Sequence, residues 1–367
     1  MLADSVSRFI DADYDFERRQ KFAASDSGYS ESMWQTFAEL GWTAVPFAES
    51  DGGLDGGPIE LMLMMEQFGR GLVVEPYLAN IVLAGGILRR IADDAQKARW
   101  MQPLIEGELQ ATLAFAEPQN RFDVANVMTT ARKDGECYLL NGKKSFVLNG
   151  DRAGLIIVPA RTSGDQRDEA GISLFAVPGD TDGLSRQGYA TVDGLRAAEL
   201  ALNDVRVTAE CLLGQEDDGF ATLASVVDEA TLAVSAEAMG IMQKMHDKTV
   251  EYTKSRVQFG VPISSFQALQ HRMVDTLMLC EQSRSLLYWS VMLADAADPQ
   301  AKKAISALKY QVGTAGAKVA QEAVQLHGGM GVTWDLDIAH YFKRITAIDL
   351  MFGNSDHHLD RFIASEA

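Results

Sequence analysis

The chain is poor in cysteine, in proline and in positive charge. Among its 367 residues are three cysteines, Cys137, Cys211 and Cys280, far apart and without metal-ligand spacing. So sparse and odd a set excludes a disulfide framework and fits a reducing compartment. Only 33 Lys and Arg stand against 51 Asp and Glu, a net charge of −18. That balance argues against a nucleic-acid binder, which needs clustered cations for phosphate contacts, but not against one local basic pocket. No apolar run approaches the roughly 18 residues needed to span a bilayer. The N-terminal stretch MLADSVSRFIDADYDFERR is acidic and amphipathic, unlike a secretory or transit peptide. The expectation is a cytoplasmic protein with no nucleic-acid or membrane partner. Its hydrophobic content of 47% is ordinary for a globular protein, and its length calls for two or three subdomains.

What is present changes period twice along the chain. Residues 1–108 read as an N-terminal helical domain. Ser30 precedes ESMWQTFAELG, with Met33, Trp34, Phe37 and Leu40 on one face and Gly41 as a stop. Pro58 opens a second helix where a missing N–H costs nothing, and Met62, Met64 and Met65 within it read as core filler. Further helical patterns cover Pro76 to Ile91 and Asp94 to Glu106. Over 109–213 the period shortens to two. Short runs such as ATLAFAE, CYLLNGKKSFVL and GLIIVPAR suggest a central antiparallel β-barrel or sandwich. Asp134-Gly135 and Asn141-Gly142 read as hairpin turns, and QGYATVDGLRAAE as a looped return before the last strand. Residues 214–367 return to long helical patterns that suit a C-terminal four-helix bundle, broken near Gly353. The fold class is α+β multidomain.

The stretch SRVQFGVPISSFQALQHRMVD, from Ser255 to Asp275, lies between two of those long helices. Gly260 and Pro262 predict an elbow there, with Arg256 at a helix C-terminal end where its planar fork reaches outward. An Arg, an aromatic and a glycine at such an elbow suit a phosphate-and-ring ligand; taken alone, these residues read more simply as a surface turn with a capping Arg.

Three motifs, taken in order, resemble the acyl-CoA dehydrogenase family of flavoproteins: Arg256-Val257-Gln258-Phe259-Gly260 with Phe266-Gln267; Gln325-Leu326-His327-Gly328-Gly329-Met330-Gly331; and Phe115-Ala116-Glu117-Pro118 with Lys144-Ser145-Phe146-Val147-Leu148-Asn149-Gly150. The wording of FGVPISSFQALQHR, QLHGGMG and HYFKR is similar to the small-subunit branch of the hetero-oligomeric members that act on pimeloyl-CoA. The resemblance implies an acyl-CoA dehydrogenase fold and FAD held between β domain and bundle, with a neighbouring subunit completing the site. It implies an acyl-CoA substrate, electron-transfer flavoprotein as acceptor, and a homologous dehydrogenase subunit (a heterotetramer) or a homo-oligomer. Arg256, Gln258, Phe259, Phe266 and Gln267 match positions that meet the adenosine diphosphate half of a flavin in the adjoining subunit. Gln325, Leu326, Gly328 and Gly329 match a turn that lets backbone approach that half. Phe115, Ala116, Phe146 and Leu148 match positions around the isoalloxazine ring, and Asn354 belongs to the C-terminal run of the cofactor set. The family commonly has Trp and Thr where this chain has Phe146 and Leu148, and Leu148 cannot donate a hydrogen bond.

The family reaction removes a proton from the α carbon of an acyl thioester while hydride leaves the β carbon for the flavin. In Met351-Phe352-Gly353-Asn354-Ser355, Phe352 stands where the family's catalytic Glu commonly is, so the usual base is absent. Some relatives place that Glu on the helix before Arg256. Counting back gives Ala230, with Glu229 beside it and Asp228 next. Neighbours differ by about 100° around a helix, so Glu229 is a candidate base only if the register shifts by one, and otherwise an exposed helix acid. Asp228 is a candidate for substrate contact. Arg121, in a Gln119-Asn120-Arg121 tract, is a candidate for a ligand carboxylate or phosphate, or a surface charge. Asp356, His357 and His358 read as a polar helix start capped by Ser355 rather than a metal site. His327 reads as packing its turn, and His246, His271 and His340 show no partner pattern.

Overall fold

The computed structural model describes residues 2–365. The first helices are α1 (Leu2–Asp13), α2 (Phe16–Ala23), α3 (Glu31–Glu39) and α4 (Pro58–Gly71). Next come α5 (Gly85–Ile91), α6 (Asp94–Gln96) and α7 (Gln102–Ile105), with wider helical turns over Leu78–Ala84 and Lys97–Met101. The sheet comprises β1 (Ala111–Leu113), β2 (Thr130–Asp134), β3 (Cys137–Leu148), β4 (Leu155–Arg161), β5 (Ile172–Pro178), β6 (Leu184–Ala190), β7 (Arg196–Thr208) and β8 (Leu212–Leu213). After it, α8 (Phe220–Ser255) leads through the two-residue strands β9 (Val257–Gln258) and β10 (Val261–Pro262) to α9 (Gln267–Asp295). The last helices are α10 (Ala301–His327), α11 (Asp337–Leu350) and α12 (Ser355–Ala364). Two compact units result, one of residues 22–56 and 74–230, the other of 1–21, 57–73 and 231–367. Among the described residues no helix is long and apolar enough to cross a membrane.

In the unit that carries the sheet, the strand order is β6-β7-β3-β2-β4-β5-β8, with β1 also on β4. β4 and β5 are buried almost throughout, which is why their sequences run apolar without alternation. The sheet is not purely antiparallel: β1 and β2 both lie parallel to β4. The expected hairpin forms one position later than Asp134-Gly135: Asp134 pairs with Cys137, so the two turn residues are Gly135 and Glu136. Asn141-Gly142 forms no turn. β3 runs straight through it, and the register against β7 slips by a bulge there. A Cβ on Gly142 would lie 2.7 Å from the Thr129 Cα, so the glycine serves a close approach of strands. The looped return is likewise a strand in part, since β6 pairs along β7 from Leu184 to Ala190. In α3 the Ser30 hydroxyl accepts from the Met33 N–H, and Trp34 and Phe37 are buried. Leu40 is not part of that face: it is the C-cap, 47% exposed, and Gly41 turns the chain away at φ +74°.

In the helical unit, Pro58 opens α4 and Met62, Met64 and Met65 are buried, as their pattern implied. α4 meets α8 closely: a Cβ on Gly69 would lie 2.0 Å from the Glu237 carbonyl, and one on Gly240 would lie 1.9 Å from that of Glu66. α10 packs on α9, α11 and α12. The Glu237 carboxylate on α8 takes a two-pronged bond from Arg344 on α11, 2.6 Å to Nε and 2.7 Å to Nη2, with both residues buried. Such a pair contributes little net stability as a whole, but losing one partner strands a buried charge.

Arg344→Leu should therefore destabilise the chain by about 3–5 kcal/mol, and the double change Glu237→Leu/Arg344→Leu should recover most of that. Denaturant titration at matched slope measures both; a double variant no more stable than the single one counts against this account of the pair.

Candidate functional site

β1 ends at Leu113 and the chain continues past Phe115 and Ala116 beside the end of β3. The Ser145 N–H donates to the Ala116 carbonyl at 2.9 Å and ties the two segments together. Between Lys144 and Val147 the β3–β7 register slips. That bulge leaves Phe146 at φ +49° and 44% exposed, while Val147 turns into the core. The Phe146 N–H is held by the Glu199 carboxylate at 3.1 Å, and the Leu148 carbonyl accepts from the Thr112 hydroxyl at 2.6 Å. Phe115, Ala116, Phe146 and Leu148 thus share one ledge of the sheet unit.

Under that ledge lies a charge pair that sequence reasoning passed over. The Lys144 ammonium donates to Glu117 Oε1 and to the Pro159 carbonyl, each at 2.7 Å, with both side chains essentially without solvent contact. Burial alone would raise the Glu117 carboxyl. The Lys144 charge and hydrogen bonds from Lys144, Thr129 and Gln119 outweigh it and hold the group at about 2. Glu117 and Lys144 stand inside the two halves of one sequence motif, the only signal that could have paired them.

In the helical unit, the predicted elbow is a β-hairpin. β9 pairs antiparallel with β10, and Phe259 (φ +54°) and Gly260 (φ +81°) form its two-residue turn. Arg256 does end α8, its N–H still bonded to the Tyr252 carbonyl. Arg256, Gln258 and Gln267 are exposed, Phe259 is 91% exposed, and the Phe259 and Phe266 rings meet edge to face at 6.2 Å. One turn earlier Tyr252 stacks on His327 at 4.3 Å, which brings the end of α8 beside the end of α10. The chain turns there at Gly328 (φ +60°), where a Cβ on Gly328 or Gly329 would meet nothing within 4 Å. Gln325 is exposed, but Leu326 is buried and could offer a ligand only backbone. His327 packs the turn: burial lowers its basicity, and Nδ1 lies 2.8 Å from the Ala323 carbonyl.

The turn with Phe352 (φ +57°) is built on buried bases. The Lys309 ammonium reaches the carbonyls of Asp349 (2.9 Å) and Gly353 (2.6 Å), and His358 Nε2 lies 3.0 Å from that of Phe352. Burial lowers Lys309 to about 8 and His358 to about 3. Asn354, not Ser355, caps α12, its side chain accepting from the His357 N–H at 3.0 Å; the Ser355 hydroxyl turns to Asp349 instead. Among the described residues no group of His, Cys, Asp and Glu could hold a metal ion. His246 and His340 do have partners, Thr276 for the first and Arg19 for the second.

Glu229 is not the exposed acid of the alternative reading. Its side chain is 11% exposed, and its two oxygens take Arg89 Nη2 at 2.5 Å and Arg90 Nη2 at 2.6 Å. Adjacent arginines at the end of α5 in LRRI were the available clue. Asp228 is buried, and Arg121 is exposed at φ +48° in a loop shaped by Asn120, whose amide donates to the Phe115 carbonyl.

A helical–β–helical chain order with a partly exposed ledge of aromatic and backbone groups, and an exposed Arg-bearing hairpin beside an open glycine turn, suits a nucleotide-cofactor enzyme. Models of the acyl-CoA dehydrogenase N-terminal, middle and C-terminal domains match residues 1–108, 112–205 and 217–366. The chain belongs to the acyl-CoA dehydrogenase family. It is 32% identical to the probable acyl-CoA dehydrogenase YngJ of Bacillus subtilis (strain 168), over 88% of this chain and 87% of that one. Among solved structures it is similar to an acyl-CoA dehydrogenase from Geobacillus kaustophilus (TM-score 0.92, 26% identity, 100% and 97% of the two chains). It is also similar to PigA with FAD and proline (TM-score 0.93, 25% identity, 100% and 96%).

The depressed Glu117 group has a pH consequence. Its folded value of about 2 lies below the ordinary 4.5, so its stabilisation is complete above pH 4.5 and is lost as pH falls toward 2. The stability gap between the parent and Glu117→Gln should be widest at neutral pH and should close through that window, measured by denaturant titration from pH 7 downward. A gap that stays constant contradicts the assignment.

Proposed function

We propose that the chain is a subunit of a FAD-dependent acyl-CoA dehydrogenase, taking part in α,β-dehydrogenation of an acyl-CoA thioester whose proton is removed by a carboxylate from a partner subunit. The observation that carries this reading is the state of the two places where the chain's own base would be. Phe352 has no ionisable group, and the Glu229 oxygens are both taken by arginines. A general base must stand within hydrogen-bond reach of the proton it takes, whereas Glu229 turns one oxygen to Arg89 and the other to Arg90 and leaves only 11% of its side chain exposed.

The residues present fit an FAD. Open space over Gly328 and Gly329 leaves room for a diphosphate against backbone, and Arg256 supplies an exposed cation one helix end away. Gln258, Phe259, Phe266, Gln267 and Gln325 would meet the adenosine side, in the manner of a wall offered to a neighbouring subunit. Phe115, Ala116, Phe146 and Leu148 would meet the isoalloxazine ring, Phe146 by its face and the others by backbone and apolar contact. Asn354, whose carbonyl oxygen is spent on the α12 cap, keeps only its amide N–H groups for a flavin. A bound FAD would supply a hydride acceptor for the β carbon of the substrate, with electron-transfer flavoprotein as the onward acceptor. The acyl group is read as dicarboxylyl or bulky and ring-bearing, with Arg121 meeting a distal carboxylate; Asp228, being buried, would touch substrate only at its edge.

A second reading is favoured by the same two positions: a non-catalytic partner that completes the FAD site of a larger, homologous subunit. The two readings part in the assembled complex. Altering the ledge at Phe146 abolishes turnover if this chain's own flavin reacts, and spares it if this chain only lends its hairpin.

Purified alone, the chain should carry well under one FAD, and the full complement should appear with a homologous companion chain, read from flavin absorbance per polypeptide. A homogeneous homo-oligomer with one tightly bound FAD per chain, bleached by an acyl-CoA, would overturn both readings. In the active assembly, Arg121→Ala should lower kcat/KM for a dicarboxylyl thioester about 10- to 100-fold, the worth of one charged hydrogen bond, and leave an unbranched monoacyl thioester nearly unchanged. Equal losses on the two substrates defeat the carboxylate role.

A further inference from the structure

We propose that the buried Glu117–Lys144 pair is the positioning device of the flavin-facing ledge, fixing Phe115–Ala116 against the Ser145–Phe146 bulge before any cofactor arrives. The proposal rests on the reading that this ledge takes the isoalloxazine ring. Glu117 follows Ala116 directly, and Lys144 precedes Ser145 directly, so the pair stands on the residues next to the ledge on both sides. The Ser145–Ala116 backbone bond closes the square.

Glu117 is held from four directions. Oε1 accepts from Lys144 at 2.7 Å and the Thr129 N–H at 3.1 Å; Oε2 accepts from the Met128 N–H at 2.8 Å and Gln119 at 2.7 Å. Lys144 is anchored in turn on the Pro159 carbonyl of β4. The need for an anchor at that point follows from the topology. β1 pairs with β4 from Leu155 to Ile157 and β2 pairs with it at Arg161, so the ladder on that side is interrupted between them. Pro159 sits in the interruption and has no N–H to give. The chain from Ala114 to Thr129 loops out across this gap, and Phe115 and Ala116 of the ledge are the first part of that loop. A sheet ladder cannot hold Phe115 and Ala116 there. The charge pair does, backing the bonds that the Ser145 N–H and the Asn120 amide give to the Ala116 and Phe115 carbonyls, through directional bonds that a hydrophobic filling of equal volume would not reproduce.

A pair that served only to close the core would affect stability and nothing else. A positioning pair also sets the geometry of the ledge, and preorganised contacts bind more tightly than mobile ones. The test uses the full chain, with its companion where FAD retention requires one, and compares Lys144→Met with the double variant Glu117→Gln/Lys144→Met. The single change strands a buried carboxylate and should lower the Tm sharply. The double change removes both charges and should restore most of the Tm. It should nonetheless keep fast hydrogen exchange at the Ser145 and Thr129 amides of the FAD-free chain. It should also weaken FAD, titrated by quenching of flavin fluorescence, by about tenfold or more, with a changed visible circular dichroism of the bound flavin. A double variant with parental amide protection, or with lost protection but parental FAD affinity and dichroism, overturns the positioning role while leaving the FAD reading intact. A parent chain that binds no FAD in any assembly overturns the reading and the proposal together.

Discussion

An ammonium group removed from water must find acceptors or give up its proton, and an unmet buried charge costs more than a small domain can spare. This constraint shapes the chain at the Phe146 bulge and at the Phe352 turn, where its backbone leaves regular structure near a candidate site. Lys144 is met by Glu117 and Pro159 beneath the ledge. Lys309 is met by the carbonyls of Asp349 and Gly353 beneath the Phe352 turn. Each buried lysine holds a stretch that neither helix nor ladder could hold. Residues at positive φ recur above these anchors, Phe146 over the first and Phe352 over the second. Non-glycine residues persist in that region only where the surroundings over-determine them.

The parts of the fold that could be read from sequence are those in which a local rule has no competitor. Ser30, Pro58 and Asp134-Gly135 do what their chemistry asks, because no tertiary contact opposes a cap, a first helical turn or a tight hairpin. Asn141-Gly142 carries an equally good local signal and fails. There the crossing of Thr129 needs a residue without a side chain, and pairing with β7 continues past it, so the glycine is present for close approach rather than for a turn. The elbow after Arg256 shows the limit from the other side. Gly260 and Pro262 mark a break in helix, but whether the break is a bend or a hairpin depends on Ile263 returning its N–H to the Arg256 carbonyl, a contact that no pattern encodes.

The candidate sites were legible as motifs and illegible as geometry. Phe115, Ala116, Phe146 and Leu148 were grouped by resemblance, and their sharing of a ledge depends on the bulge after Lys144. The sequence leaves Glu229 between base and exposed acid, and in this structure it is neither free nor exposed. Its partners lie about 140 positions earlier on α5, beyond the range of any helical-wheel argument. Asn354 and Ser355 differ from their expected roles for a similar reason: Asp349, on the preceding helix, captures the serine hydroxyl and leaves the asparagine to cap.

The proposal that a neighbouring subunit meets this chain rests most on the hairpin of β9 and β10. A net charge of −18 keeps acidic surfaces solvated, yet the hairpin sets Val257, Phe259 and Val261 in water, with Phe266 just beyond it. It does so in an ordered form, with paired strands and both turn residues at positive φ. Fixing backbone costs about 1–2 kcal/mol per residue, and in an isolated chain no burial of these side chains repays it. Ordering before contact is worthwhile when a contact follows, because a preformed element loses less freedom on binding. A surface turn with a capping arginine would need neither the exposed rings nor the strand pairing. The wall proposed for the nucleotide of a neighbouring subunit would use both.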